Sequence, residues 1–148
     1  MRTKALPKPP KASSPEARAV MQGNRSKGTR LEQLFLSELK AAKVSGFRKN
    51  YKRLPGSPDL AFIKERVALF LNGCFWHRCP YCRPHFPSIN QEYWAAKFQR
   101  NRLRDNVVRK KLNVLGWKPI TIWECSLKKG PRRAALKVLK LLQDRHDH

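Results

Sequence analysis

From residue 29 onward, apolar and polar positions follow two different spacings. Leu31, Leu34, Phe35, Leu39 and Ala42 recur at helical intervals, which predicts a helix over about Thr29–Lys43. Phe47–Tyr51 suits a short strand, and Leu54-Pro55-Gly56-Ser57-Pro58-Asp59 is turn chemistry leading into a strand over Leu60–Ile63. Val67–Leu71 is an unbroken apolar run, the pattern of a strand buried on both faces, and pairs with the strand before it through a hairpin at Lys64, Glu65 and Arg66. A loop runs on to about Pro87, where Ser88-x-x-Gln91 has the form of a capping box opening a long helix that Gly116 ends. A strand over Ile120–Trp123 and a last helix started by Pro131 complete the series. Helix, three strands, helix, strand, helix predicts an α/β domain with a central mixed sheet flanked by helices.

The long helix carries one irregularity. Its inward stripe reads Trp94, Phe98, Asn101, Asp105, Val108, Leu112 and Leu115, so two polar residues one turn apart interrupt an apolar face. An inward carboxylate is costly unless it is paired or bound to a metal. Asn101 and Asp105 therefore either line a site or satisfy backbone groups.

Charge narrows the class of partner. The 148 residues carry 33 Lys and Arg against 10 Asp and Glu, a net +23, which points to a polyanion and above all to nucleic acid. Met1–Arg30 holds eight basic residues and one acidic, a net +7 that leaves +16 on the rest, so the folded part is itself basic. The first 28 residues, with Pro7, Pro9, Pro10 and Pro15 among Lys, Ser and Ala, cannot bury enough apolar surface to order themselves. They read as a flexible basic arm before a single domain over 29–148. No stretch is long and apolar enough to span a membrane, and no helix is basic on one face and cleanly apolar on the other, so a membrane partner is not expected.

The four cysteines carry the clearest chemistry. Cys74-x4-Cys79-x2-Cys82, answered far downstream by Cys125, has the softness and spacing of a tetrahedral zinc site. Disulfides are the competing use, but they require export, and the basic N-terminus is followed by no apolar run of signal-peptide length. His77 and His85 lie among the sulfurs as further candidate ligands, more than one zinc ion accepts. Four sulfurs are the favoured set, which leaves His77 for another task.

Pro58-Asp59 before a strand, followed by a second apolar strand, has the form seen in metal-dependent nucleases of the restriction-endonuclease type. In those enzymes the second strand supplies an acid and a lysine, where this chain reads Phe70-Leu71-Asn72-Gly73. Taken with Asn72-Gly-Cys-Phe-Trp-His77, Glu92-Tyr-Trp94, Asn101 to Asp105, and Leu115-Gly-Trp-Lys through Trp123-Glu-Cys125, the pattern resembles the very-short-patch repair endonucleases, the Vsr family. The likeness runs in order from about Thr29 to Lys128.

The resemblance implies a restriction-endonuclease-like fold that nicks double-stranded DNA next to a thymine–guanine mismatch. Glu32, Asp59, Asn72, His77 and Asp105 fall on the family's five active-site positions, with Asn72 standing where the best-known members have histidine. Asp59 and the backbone carbonyl of Leu71 would serve a catalytic Mg2+. Cys74, Cys79, Cys82 and Cys125 would hold a structural Zn2+, and Phe75, Trp76 and Trp94 match aromatics that the family wedges into the base stack. It further implies a monomer on DNA, a cytoplasmic, nucleoid-associated place in a bacterium, and a repair protein or methyltransferase as a partner to look for. Asn72 and the absent lysine also fit a zinc-stapled DNA-binding protein with an inactive centre. A third reading is a homing- or restriction-type nuclease of the same fold without mismatch specificity.

Overall fold

The computed structural model describes residues 30–147, so the basic arm expected over 1–28 lies outside the described residues. Helix α1 (Arg30–Ala41) is followed by strands β1 (Phe47–Lys49), β2 (Leu60–Phe62) and β3 (Val67–Asn72). The short helix α2 (Cys74–His77), the long helix α3 (Gln91–Val114), strand β4 (Lys118–Trp123), α4 (Glu124–Lys129) and α5 (Pro131–His146) complete the chain. The strands form one sheet in the order β1-β2-β3-β4; β1–β2 and β2–β3 are antiparallel and β3–β4 parallel. This is the mixed sheet flanked by helices that the order of elements predicts.

Period-two alternation assigns the two faces of the sheet. Val67, Leu69 and Leu71 of β3, with Ile120 and Ile122 of β4, pack into a core shared with Phe35 and Leu39 of α1, Leu127 of α4, and Ala135, Val138 and Leu142 of α5. Phe70 and Asn72 of β3, with Pro119, Thr121 and Trp123 of β4, turn the other way and line a cavity against α3. The run Val67–Leu71 is thus buried on both faces only over Val67, Ala68 and Leu69; its later residues are half-buried because a cavity replaces packing there.

Ends of elements follow from local chemistry. Helix α3 closes in a Schellman motif: Gly116, at φ 81°, donates its N–H to the Asn113 carbonyl, and Trp117 donates to that of Leu112. The same device ends α1, with Lys43 at φ 59° donating to Lys40 and Val44 donating to Leu39. Pro131 occupies the first turn of α5, as expected.

Three expectations are corrected. The capping box does not form, because the residue before α3 is Asn90 at φ 58°, a left-handed conformation unlike the extended one a capping side chain needs; the helix starts at Gln91 rather than Ser88. Leu115 leaves the inward stripe and is 53 % exposed, since it lies beyond the last full turn. Residues 74–77, read as part of a loop, and 124–129, given no element between the strand ending at Trp123 and the helix at Pro131, are the short helices α2 and α4.

Candidate active site

The turn before Asp59 delivers it to the cavity. Ser57 donates its N–H to the Leu54 carbonyl at 3.1 Å, with Pro55 second and Gly56 third at φ 76°, the sequence and sign of a type II turn. A Cβ on Gly56 would stand 2.5 Å from Val108 Cγ1, so only glycine lets this turn press against α3. Asp59 follows, and its Oδ2 accepts the backbone N–H of Leu71 on β3 at 2.7 Å. That bond fixes the carboxylate at the end of the sheet.

The next wall is built by α2 and α3. His77, last in α2, places Nδ1 2.6 Å from Asp105 Oδ2, and both residues line the cavity with Asp59, Leu71 and Asn72. The cavity encloses about 770 Å³. Four of the five expected positions therefore converge. Glu32, half-buried on α1, is not part of this cavity's wall.

The two polar residues of the α3 stripe divide the alternatives between them. Asn101, buried, donates from Nδ2 to the carbonyl of Trp76 at 3.1 Å and accepts from Arg104 at 2.7 Å, so it satisfies backbone of α2. Asp105 lines the site. One pins the short helix, and the other engages its histidine.

The four cysteines meet at the carboxyl ends of the parallel strands. Cys74 and Cys125 each lie two residues past the end of β3 and β4, whose register pairs Asn72 with Trp123. The four sulfurs lie within 4.8 Å of one another and could hold a metal ion. All four are free thiols, and Cys79 and Cys125 are 3.8 Å apart at sulfur, far beyond the roughly 2.0 Å of a disulfide. His77 is engaged by Asp105 instead of joining them. Burial pushes the Cys74 thiol above its ordinary range, against the pull of the Cys125 N–H at 3.2 Å. Burial acts in the same sense on Cys79, but the backbone amides of Cys82 and Tyr81 outweigh it and bring that thiol below its ordinary value.

Phe75, Trp76 and Trp94 form an aromatic cluster with Tyr93 and Phe98. Phe75 stands edge-on to Trp76, Trp94 and Phe98 at centroid distances of 5.2, 5.4 and 5.3 Å. Trp94 is buried at the base, whereas Phe75 and Trp76 are half-buried above it. Lys97 lies 4.7 Å over the Trp76 ring, and the Trp76 Nε1 is buried with no hydrogen-bond partner among the described residues. Arg78, which sequence reading passed over, holds the cysteine loop to this cluster: it donates to the Pro84 carbonyl at 2.6 Å and lies 4.6 Å over Phe98. Its position directly after His77 was the available signal.

Comparison with known proteins finds relatives among DNA-cleaving enzymes. A family model described as DNA mismatch endonuclease Vsr matches residues 12–83. The chain is 39 % identical to the type II nicking enzyme V.XorIIP of Xanthomonas oryzae pv. oryzae, over 77 % of its own length and 84 % of the relative's. It is 37 % identical to the type II nicking enzyme V.NmeDIP of Neisseria meningitidis serogroup C, over 89 % and 90 %. The DNA mismatch endonuclease Vsr of Escherichia coli is 33 % identical over 63 % of this chain and 60 % of its own. These likenesses, with a carboxylate-lined cavity in a strongly basic molecule, define a DNA-cleaving hydrolase of the endonuclease class. Within that class, the chain belongs to the Vsr family.

Proposed function

We propose that this protein nicks one strand of double-stranded DNA beside a thymine–guanine mismatch, with Mg2+ at Asp59 and Zn2+ among the four cysteines. The observation that carries the chemistry is the 2.6 Å contact of His77 Nδ1 with Asp105 in the same cavity as Asp59. A carboxylate accepts only, so His77 presents its Nδ1 proton to Asp105, and in the neutral imidazole this tautomer keeps Nε2 bare to take the proton of the attacking water. A base so oriented contributes about 10² to 10⁴ in rate.

The oxygen donors at the cavity suit magnesium, with Asp59 and the Leu71 carbonyl as its holders. When bound, that ion neutralises charge growing on the phosphate and stabilises the departing oxygen. The Leu71 N–H keeps the Asp59 carboxylate from swinging away from this position. Asn72 cannot exchange a proton at neutral pH, so its amide is assigned a hydrogen bond to a phosphate oxygen. Glu32 stands apart from the cavity, and its assignment as a further acid for the ion rests on the family resemblance.

Four thiolates suit zinc. A tetrahedron with Zn–S bonds of about 2.3 Å has sulfurs about 3.8 Å apart, and Cys79 and Cys125 already stand at 3.8 Å. The staple ties the loop carrying Phe75, Trp76 and His77 to the end of β4, so wedge and base are placed together. Phe75 and Trp76, on the less buried side of their cluster, are the aromatics offered to the DNA, with Trp94 supporting them. Unstacking costs least at a mispaired step, which gives such a wedge a preference for mismatches.

The deciding experiment compares nicking of a duplex holding one thymine–guanine pair with its fully paired twin. Faster nicking of the mispaired duplex, in one strand only and dependent on magnesium, is expected. Equal rates on both would remove the mismatch reading and leave a nicking enzyme of broader choice. No nicking of either would support the DNA-binding protein with an inactive centre.

A further inference from the structure

The cavity wall holds more positive charge than the chemistry above employs. Arg104 is engaged by Asn101 and Arg78 by the Pro84 carbonyl. Arg102 and Arg109 line the same cavity, and neither has an ion pair or hydrogen bond among the described residues. Both lie on α3, seven residues apart and hence on one helical face, with Asp105 between them. At 1.5 Å per residue, Arg102 stands about 4.5 Å along the axis on one side of Asp105, and Arg109 about 6 Å on the other.

Two uncommitted guanidinium groups thus straddle the carboxylate–histidine pair at a spacing that means something for a polyanion. Successive phosphates of one DNA strand are about 3.4 Å apart along the duplex axis and farther apart through space, so two long, flexible arginine side chains anchored on either side of Asp105 can reach different phosphates. Guanidinium also matches phosphate in a two-pronged hydrogen bond, which fixes direction as well as distance. We propose that Arg102 and Arg109 are positioning residues that hold the phosphates on opposite sides of the bond to be cut. Gripped at both neighbours, the central phosphate cannot slide past His77, and the reacting atoms stay in register. The inference rests on His77 and Asp105 being the hydrolytic centre.

The test uses the full chain and a mispaired duplex in which single phosphates are replaced by uncharged methylphosphonates. Arg102→Gln and Arg109→Gln are each expected to slow single-turnover nicking at saturating DNA roughly tenfold or more. Arg132→Gln, an exposed arginine of α5 outside the cavity, serves as the control for loss of charge alone and is expected to nick at the unaltered rate. Neutralising the phosphate on one side of the nick should abolish the difference between the unaltered protein and Arg102→Gln. Neutralising its counterpart should do the same for Arg109→Gln. Penalties that persist whichever phosphate is neutralised, or a control variant that slows equally, overturn the proposal. His77→Ala run in parallel keeps the two readings apart: undiminished nicking by it refutes the hydrolytic centre, whereas a dead His77→Ala with no phosphate coupling refutes the arginine grip alone.

Discussion

Asn101 and Asp105 occupy successive turns of α3 and face the same short helix, yet one bonds its backbone and the other its histidine. Substituting each separates stability from chemistry. Asp105→Asn keeps shape and bulk but offers His77 an amide in place of an acceptor-only carboxylate, so single-turnover nicking should fall about 10² to 10⁴-fold with little change in thermal stability. Asn101→Ala strips the Trp76 carbonyl of its partner, and urea unfolding should report a loss of about 1–3 kcal/mol. Asp105→Asn nicking at the unaltered rate would show the histidine contact to be structural. Both residues announced themselves in the sequence as polar breaks in an apolar stripe. Which would meet the histidine did not, because that depends on the rotation of a helix only four residues long, set by contacts 25 and 28 residues away. Arg102 and Arg109 were equally silent, for charged residues on a long basic helix look alike until one face of it borders a cavity.

At the scale of elements, three of the four cysteines lie outside the elements that build the main core, and Cys125 joins the sulfur cluster to that core through α4, which also carries Leu127. None of the four cysteines belongs to the core that α1, α4 and α5 build on the sheet. Metal removal by a chelator should therefore release the cysteine loop and alter the fluorescence of Trp76 and Trp94 while most far-UV ellipticity survives; wholesale unfolding would contradict this division. Returning zinc should liberate protons, measurable with a pH indicator, because burial keeps the Cys74 thiol protonated until a metal takes it. The turn at Gly56 is the other joint. Gly56→Ala should destabilise the fold by about 1–3 kcal/mol through both its positive φ and the Val108 clash, and Val108→Ala should relieve only the second part in a thermal melt. The long helices and β3 were legible because their apolar patterns run over enough residues to show, and the three-residue strands β1 and β2 because turn residues separate them. The short helices α2 and α4, of four and six residues, were not, since neither completes enough turns to show a period.

For the whole molecule, charge sets the terms of encounter with DNA. A net +23 predicts that the logarithm of the affinity for a duplex falls linearly with the logarithm of salt concentration, and that removing residues 1–28, which carry part of that charge, makes the slope shallower. An unchanged slope after truncation would mean that residues 1–28 touch no phosphates. The parallel pairing of β3 with β4 reaches further than any side chain in it. Asn72 and Trp123 are level with each other, and two residues beyond each strand end the chain supplies a sulfur, Cys74 after β3 and Cys125 after β4. A single codon gained or lost within β4 would turn every following side chain to the opposite face and carry Cys125 off with them. What evolution can vary in that strand is composition; what it must keep is the count.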